Sequence, residues 1–304
     1  IVFYLSPYLD ALANWSDKEI PLTTLLCYLP YGYCVESLQP MVFNLFLHNA
    51  AWKNYVPNKT YLEMGTKWCS LGNYNMVSVG VPKLDALYTT PDLGKNAVWK
   101  MQQPKAKKII YAPHHSINSH QYMSTFAKNW QWMLSYAKNH EDTTSWIFSI
   151  TQHPLLIKSS VECGIFKNEQ EYREYCKAWD SLPNGKYIEG PYLKYFLSSD
   201  CMIFDSMSFM AEYLFVNKPS LFLTREKLNL SELGEKIFPA HYSVPGNDYK
   251  GIQHFIEYDV IHDKKRTLRN LIFTKYLDYY RDNGNISAGE KIVMDLLETF
   301  NVKI

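Results

Sequence analysis

A polar turn in the second half of the chain carries the residues with the clearest chemistry, Asp205, Ser206 and Ser208. It follows residues 201–204 (CMIF), an apolar run with the length of a buried parallel strand, and it precedes apolar residues at helical spacing. A helix that starts beyond the carboxyl end of such a strand directs free N–H groups at an anion, so the turn is a candidate phosphate site. Glu212, four residues after Ser208 on the same helical face, is a candidate ligand of a ribose diol. The plainer alternative is that the serines only cap the helix and that Asp205 only stiffens the turn.

Histidines follow two other predicted strands of the same half. The predicted strand 108–112 runs into Pro113-His114-His115-Ser116, and the predicted strand 146–151 runs into Gln152-His153-Pro154. Because the carboxyl ends of parallel strands meet at one edge of a sheet, we expect both motifs to lie beside the turn at Asp205. An imidazole titrates near neutral pH and can act as an acid, a base or a phosphate ligand. The sequence therefore predicts one site at this edge, built from the polar turn and from His114, His115, Ser116 and His153.

The elements that must position this site form the second of two predicted domains. Residues 106–280 alternate predicted strands and helices, the pattern of a doubly wound parallel sheet. The earlier part of the chain has the pattern of a smaller α/β unit, in which Ala50–Tyr55 looks helical. The polar segment 91–107 holds two prolines and a glycine, so we expect domains at 1–104 and 105–304.

Composition narrows the class of protein. The chain has 304 residues, 47% apolar residues and a net charge of +1, which argues against a nucleic-acid binder because such proteins carry a basic surface. No stretch of the sequence approaches the roughly 20 apolar residues of a membrane span. The six cysteines form no CxxC pair, which favours free thiols in the cytosol. No Asp-rich motif is apparent, so we expect no tightly bound metal and no cofactor. The chain opens on a predicted strand without an initiating Met, and we expect a fragment whose first residues are missing.

The polar turn and its flanks, residues 199–213, resemble the nucleotide-phosphate signature of the CDP-glycerol glycerophosphotransferase family, the teichoic-acid and capsule polymerase type. That signature has the pattern SD-xxx-TDYSS-xx-(D/E), and residues 204–208 (FDSMS) stand in place of TDYSS. Asp205, Ser208 and the later acid Glu212 fit the pattern, whereas its threonine and tyrosine are absent. The resemblance implies that this turn binds the phosphates of a nucleotide donor.

Two further segments resemble donor-binding motifs of the same family. Residues 111–116 (YAPHHS) resemble YAPTWR, whose arginine meets the donor phosphates. Ser116 stands in place of that arginine and His115 in place of the tryptophan, so only a titratable imidazole is near to replace the lost permanent charge. Residues 152–154 are similar to the second histidine motif, which implies that His153 contacts the donor and supports departure of the nucleotide.

The first domain departs further from the family. The family's proposed base histidine lies in an HGTP segment, where this chain has residues 29–32 (LPYG). His48 is the best remaining histidine of that domain, with a packing or helix-surface role as the equal alternative. A carboxylate such as Asp10 or Glu36 is the other candidate.

The resemblance implies a fold and an activity. The expected fold is α/β and GT-B-like, in which two Rossmann-like domains face each other across a cleft and the C-terminal helix returns toward the first domain. The expected enzyme moves glycerol- or ribitol-phosphate from a CDP-linked donor to a hydroxyl of a glycan or polyol-phosphate polymer in teichoic-acid or capsule biosynthesis, and CMP leaves. Such an enzyme works in the cytoplasm, binds no nucleic acid, and makes peripheral contact with a membrane-bound acceptor at the inner face of the cell membrane.

Two alternatives stay open at this point. A GT-B glycosyltransferase with a nucleotide-sugar donor shares the fold but breaks a bond at an anomeric carbon. A non-catalytic nucleotide- or glycan-binding protein is favoured by the missing arginine and by the missing histidine of the HGTP segment.

Overall fold

The computed structural model describes residues 1–6, 23–38, 42–90, 92–117, 123–149, 154–226 and 228–302. The chain forms two compact units, here called unit 1 and unit 2. Unit 2 holds Pro91–Leu228 and Phe238–Leu271, and unit 1 is assembled from the separate stretches Ile1–Thr90, Asn229–Ile237 and Ile272–Ile304.

Strands and helices alternate along most of the described chain. The strands are β1 (Val2–Tyr4), β2 (Leu26–Tyr28), β3 (Lys53–Val56), β4 (Met76–Ser78), β5 (Lys107–Ala112), β6 (Thr144–Phe148), β7 (Gly185–Tyr187), β8 (Cys201–Phe204), β9 (Ser220–Thr224) and β10 (Tyr242–Pro245). The α-helices are α1 (Phe46–Ala50), α2 (Lys59–Trp68), α3 (Ala86–Thr89), α4 (Phe126–Asn139), α5 (Pro154–Glu162), α6 (Glu169–Ser181), α7 (Leu193–Ser198), α8 (Met207–Glu212), α9 (Glu232–Ile237), α10 (Tyr249–His254), α11 (Val260–His262), α12 (Arg266–Tyr276), α13 (Tyr279–Asp282) and α14 (Ala288–Thr299). Within the described ranges, every helix is too short or too polar to reach across a lipid bilayer.

The units divide earlier in the chain than the predicted boundary after residue 104. The segment before that boundary packs within unit 2, where the Trp99 indole N–H donates to the Ser198 hydroxyl at 2.9 Å and the Gln102 amide donates to the Pro183 carbonyl at 2.8 Å. Two later stretches of the chain, by contrast, are part of unit 1. Domains with the bounds 1–104 and 105–304 stay a prediction.

Unit 1 is built on a parallel sheet in the order β1-β2-β3-β4. Cys27 and Tyr55 of this sheet are buried, and Ile292 of α14 packs with them. The C-terminal helix therefore returns to the first unit, as the resemblance implied.

Polar contacts hold both ends of α14 in unit 1. Lys53 Nζ lies 2.6 Å from a carboxylate oxygen of Asp295, and the Tyr55 hydroxyl donates to the same oxygen at 2.8 Å. At the start of the helix, the Asp85 carboxylate accepts the N–H groups of residues 288 and 289, each at 2.9 Å. A carboxylate in this place is stabilising because it meets the positive end of the helix dipole.

Strand β3 shows that the helical prediction for Ala50–Tyr55 was wrong. The segment pairs with β2 and β4 in the interior of the sheet, and Asn54 and Tyr55 are both buried. The Asn54 side-chain N–H groups donate to the His48 carbonyl at 2.7 Å and to Asn75 Oδ1 at 3.1 Å, so these donors are satisfied inside the unit. Pairing on both sides of a short strand outweighs the weak local preference for a helix.

Unit 2 is built on a parallel sheet in the order β10-β9-β8-β5-β6-β7, which confirms the predicted doubly wound arrangement. The chain runs outward from β5 through β6 to β7, then returns to β8 on the other side of β5 and continues to β9 and β10. The strand order thus reverses between β5 and β8. In open α/β sheets, ligands bind beyond the carboxyl ends of the strands at such a reversal.

A buried ion pair joins the helical end of unit 2 to the turn before β9. The Arg269 guanidinium on α12 is fully buried and lies 2.5 Å from the Asp263 carboxylate. It also donates to the side-chain and main-chain oxygens of Asn217, both at 3.1 Å. Asn217 and Asp263 both adopt left-handed backbone conformations, with φ of 47° and 36°. The Arg269 guanidinium therefore hydrogen-bonds to two of the turns in which a residue other than glycine adopts this conformation.

A buried histidine holds α8 against β9. The ring of His241 is buried, its Nε2–H donates to the Met210 carbonyl at 2.9 Å, and its Nδ1 accepts the Ser220 hydroxyl at 2.7 Å. Burial lowers the pKa of His241 to about 3. The ring is therefore neutral in the folded protein at any pH above that value.

We expect His241 to make the protein less stable in mild acid. Its folded pKa of about 3 is below its ordinary value of 6.5, so between these values the unfolded chain binds more protons and stability falls as pH falls. From pH 7 to pH 5 the loss from this group is about 2 kcal/mol. Urea unfolding of His241→Asn should show a pH dependence shallower than wild type by that amount. His254→Asn, at a mostly exposed ring, is the control and should keep the wild-type slope.

Candidate functional site

The carboxyl ends of β5, β8 and β9 lie side by side in unit 2. Ala112 of β5 is paired with Phe204 of β8, which is paired with Phe222 of β9. Residues 113–117 (the β5 loop) and residues 205–208 (the β8 turn) therefore leave the sheet at the same edge. This confirms the expected convergence for two of the three motifs. The third, with His153, lies outside the described residues.

Asp205 joins the β5 loop to the start of α4. Its side chain is buried, Oδ1 accepts the His114 N–H at 2.5 Å, and Oδ2 accepts both the N–H and, at 2.8 Å, the hydroxyl of Thr125. Burial raises the pKa of Asp205 to about 6, although these hydrogen bonds lower it. Both carboxylate oxygens are thus engaged by protein donors, so Asp205 organises the edge of the sheet rather than pointing a bare carboxylate at a ligand.

The β5 loop holds His114 in one tautomer. Its Nδ1 accepts the Ser116 N–H at 3.1 Å and lies 2.8 Å from the Ser116 hydroxyl. A nitrogen that accepts a backbone N–H carries no proton, so the neutral ring has its proton on Nε2 and is a donor there. The ring of His115 lies 4.1 Å from that of His114, centroid to centroid. The loop therefore places two imidazoles together at the sheet edge.

The β8 turn starts a helix, as predicted. Ser206 is the N-cap of α8 with φ −76° and ψ 124°, and its side chain makes no cap hydrogen bond. Ser208 lies half-buried in the first turn, and α8 continues as a 3₁₀ segment over Tyr213–Val216. The serines are thus at the start of the helix without the side-chain cap that the plainer alternative required.

Glu212 has a different environment from the one that a ribose ligand suggests. Its side chain is fully buried, and a carboxylate oxygen accepts the Tyr192 hydroxyl at 2.5 Å. Burial and the adjacent carboxylate raise the pKa of Tyr192, so this hydroxyl keeps its proton. A contact between Glu212 and a ribose stays a prediction, and it requires this buried pair to open.

Of the three candidate bases, Asp10 lies outside the described residues, and the other two have opposite properties. His48 is buried, its Nδ1 accepts the Leu45 N–H at 3.2 Å, and burial lowers its pKa to about 4. Glu36 follows β2, and its Oε2 is buried without a hydrogen-bond partner among the described residues. Burial raises the pKa of the Glu36 carboxyl to about 7. At neutral pH the carboxyl takes up a proton far more readily than the imidazole.

Sequence reasoning missed two residues at the same edge of unit 2. Ser149, directly after β6, is buried with φ 52°, and its N–H donates to the Tyr111 carbonyl at 3.0 Å. A non-glycine residue in this conformation is uncommon and often occurs where function requires it. Arg225, directly after β9, donates to the Ile117 carbonyl at 3.5 Å. The signal for Arg225 was available, since it lies just beyond an apolar predicted strand, whereas Ser149 falls inside the predicted strand 146–151 and only the earlier end of β6 places it at the edge.

Among the residues that the structure describes, no group of three or more histidine, cysteine or acidic side chains could hold a metal ion.

The fold is shared with several solved structures. A variant of the wall teichoic acid polymerase TagF, soaked with CDPG, is similar with 13% identity over 92% of this chain and 69% of that chain, at a TM-score of 0.58. The S. aureus MnaA structure with UDP has 16% identity over 97% of this chain and 72% of that chain, at a TM-score of 0.59. The UDP-GlcNAc 2-epimerase from Neisseria meningitidis, bound to UDP-GlcNAc, has 17% identity over 90% of this chain and 70% of that chain, at a TM-score of 0.52. At these identities the likeness shows the fold, which is GT-B-like with parallel α/β units.

The family follows from the sequence. No curated protein matches the chain. The profile of the family described as CDP-Glycerol:Poly(glycerophosphate) glycerophosphotransferase matches residues 44–294, most of the chain and all the described parts of the sheet edge in unit 2. The chain therefore belongs to the CDP-glycerol:poly(glycerophosphate) glycerophosphotransferase family.

Proposed function

We propose that the protein transfers glycerol- or ribitol-phosphate from a CDP-linked donor to a hydroxyl of a glycan or polyol-phosphate polymer. The observation that carries the proposal is the junction of the β5 loop and the β8 turn on the buried Asp205 carboxylate, where the strand order reverses. Family membership supports the reaction, and the fold likeness to a TagF variant soaked with CDPG supports a nucleotide-linked donor.

The donor diphosphate would lie at the β8 turn. The first N–H groups of α8 and the hydroxyls of Ser206 and Ser208 are its donors, because a helix start favours an anion. His114 would donate from Nε2, with His115 beside it. His153, by its place after the strand that pairs with β5, would add a further imidazole and stabilise charge on the departing nucleotide.

The reaction needs positioning and charge stabilisation rather than a covalent intermediate. The acceptor oxygen forms a bond to the β-phosphorus of the donor. The anhydride bond to the bridging oxygen breaks, and CMP leaves with the electron pair. The proton of the acceptor hydroxyl passes to a base.

Glu36 is the stronger candidate for that base, because its pKa of about 7 suits proton transfer at neutral pH, whereas His48 has a pKa of about 4. We expect Glu36→Gln to lower kcat on the order of 100-fold and to leave the donor Kd unchanged. His48→Asn is the comparison variant and should act mainly through stability. A Glu36→Gln enzyme with full kcat would exclude this carboxylate as the base.

A product assay tests the function. Purified protein would be incubated with CDP-glycerol, CDP-ribitol or UDP-GlcNAc and a polyol-phosphate polymer, supplied free or in lipid vesicles. Release of CMP with growth of the polymer supports the proposal, and faster turnover on vesicles supports peripheral contact with a membrane-bound acceptor. Release of UDP identifies a glycosyltransferase instead. Binding of a nucleotide without any release identifies a non-catalytic binding protein.

A further inference from the structure

We propose that Arg225 is a ligand of the donor diphosphate and supplies the permanent positive charge that the β5 loop and the β8 turn lack. The inference rests on the proposed function, since it names a residue of the same donor site.

The first observation is the place of Arg225 in the sheet. β9 pairs with β8 in parallel register, Phe204 against Phe222, and Arg225 is the first residue beyond β9. Its chain therefore leaves the sheet at the edge where the β8 turn begins. A parallel sheet presents this edge to its ligands.

The second observation is the contact of its side chain. The guanidinium reaches across to the β5 loop, where Nη2 lies 3.5 Å from the Ile117 carbonyl. The side chain is half-buried, and its charge partly offsets the rise that burial causes in the pKa of Asp205. Arg225 thus spans from β9 to the loop that carries His114 and His115.

The third observation is the charge balance of the edge. The β5 loop has the sequence PHHSI and the β8 turn has the sequence DSMS, so neither contains a lysine or an arginine. The Nδ1 atom of His114 accepts a backbone N–H and so does not donate to a phosphate in this conformation. Asp205 adds a negative charge when it is ionised. A diphosphate carries at least two negative charges, so these two segments alone offer hydrogen bonds but no fixed countercharge.

A guanidinium is better suited than any other side chain to bind a diphosphate with a fixed positive charge. It keeps its charge at every accessible pH, and its planar arrangement of N–H groups matches phosphate oxygens in pairs. The 3.5 Å contact with the Ile117 carbonyl is at the long limit for a hydrogen bond.

Calorimetric titrations of Arg225→Gln and Arg225→Lys test the inference. The probes are CDP-glycerol, UDP-GlcNAc, inorganic pyrophosphate and cytidine, each at low and high salt. Arg225→Gln should bind the diphosphate probes on the order of 10- to 100-fold more weakly, and cytidine as wild type does. Arg225→Lys should recover part of the affinity, because it restores the charge but not the paired donors. Arg173→Gln removes an exposed arginine of α6 and should bind all four probes as wild type does.

The outcomes separate this inference from the proposed function. Equal diphosphate affinity in wild type and Arg225→Gln overturns the role of Arg225, whatever the CMP assay gives. An equal loss for cytidine and for the diphosphates, with a lower melting temperature, also overturns it and leaves Arg225 as a support of the β5 loop. A third outcome is that wild type binds UDP-GlcNAc but not CDP-glycerol, with weaker binding in Arg225→Gln. That result overturns the proposal of a CDP-linked donor and supports Arg225 as a ligand of the diphosphate.

Discussion

Replacing Asp205 by alanine should lower kcat/KM more than 100-fold and destabilise unit 2 as well. The buried carboxylate accepts hydrogen bonds from the His114 N–H, the Thr125 N–H and the Thr125 hydroxyl. Alanine leaves these donors without a partner in a buried place, which costs roughly 1–3 kcal/mol for each group. It also frees the β5 loop from the β8 turn, and a displacement of about 1 Å in a positioned site can cost 100-fold in rate.

Asp200→Ala is the matched control for this variant. Asp200 lies at the opposite end of β8, and its carboxylate accepts the Lys108 N–H at 2.7 Å. It too ties β8 to β5, but it is exposed and far along the strand from the candidate site. Its removal should cost roughly 1 kcal/mol of stability and leave kcat/KM near wild type. Equal losses of activity in the two variants would show that Asp205 only holds the strands together.

The pH dependence of the same residue separates positioning from folding. The folded pKa of Asp205 is raised to about 6 from an ordinary value of 3.8, so the stability contributed by this group is full below pH 3.8 and is lost as pH rises through about 6. The three hydrogen bonds to its carboxylate, by contrast, are strongest in the ionised form, because protonation turns one oxygen into an O–H donor. Activity of wild type should therefore fall as pH is lowered through about 6, although this group does not unfold the protein there. The isosteric Asp205→Asn should lack that step and be slow at every pH.

Replacing Arg269 by alanine should cost about 3–5 kcal/mol of the free energy of unfolding, because it removes one partner of a buried ion pair. The Asp263 carboxylate, mostly buried, loses its cation, and both oxygens of Asn217 lose their donors. Urea unfolding followed by circular dichroism measures the change. Arg266→Ala, an exposed arginine on the same helix, is the control and should change stability by less than about 0.5 kcal/mol.

A double variant tests why the pair matters. Arg269→Met with Asp263→Ala removes both charges, and hydrophobic replacement of a buried pair is often nearly neutral. We expect the double variant to be more stable than Arg269→Ala alone. Asp263 has φ 36°, however, so alanine there adds backbone strain and recovery should be incomplete. If the losses of the single variants Arg269→Met and Asp263→Ala simply add in the double variant, the Asp263 carboxylate does not need the cation.

The sequence predicted the part of the site that local patterns encode. The run at 201–204, the polar turn and the following helix were recognised because an apolar strand bounded by serines and an acid has few other interpretations. Parallel pairing then brought the β5 loop to the same edge. The hydrogen bonds by which Asp205 connects the β8 turn to the β5 loop could not be predicted in this way, because its partners His114 and Thr125 lie 91 and 80 residues earlier in the chain.

Burial explains most of what sequence reasoning missed. Glu212 has the spacing of a residue that faces a ligand, but its carboxylate is buried against Tyr192, which no local pattern indicates. His48 reads equally as a base or a packing residue until its buried ring and its bond to Leu45 are known. Strand β3 has too few residues for a period to emerge, and its pairing with β2 and β4 decides its conformation.

The assembly of unit 1 from separate stretches has a consequence for synthesis on the ribosome. Asp85 is synthesised 203 residues before the N–H group that it binds, and Lys53 is synthesised 242 residues before its carboxylate partner. At typical translation rates these partners follow roughly 10 to 50 seconds behind. The buried Tyr55 and Cys27, which Ile292 covers in the finished protein, stay accessible for that time. The nascent first unit therefore exposes apolar surface of the kind that chaperones bind, whereas the strands of unit 2 through β10 are complete before α14 leaves the ribosome.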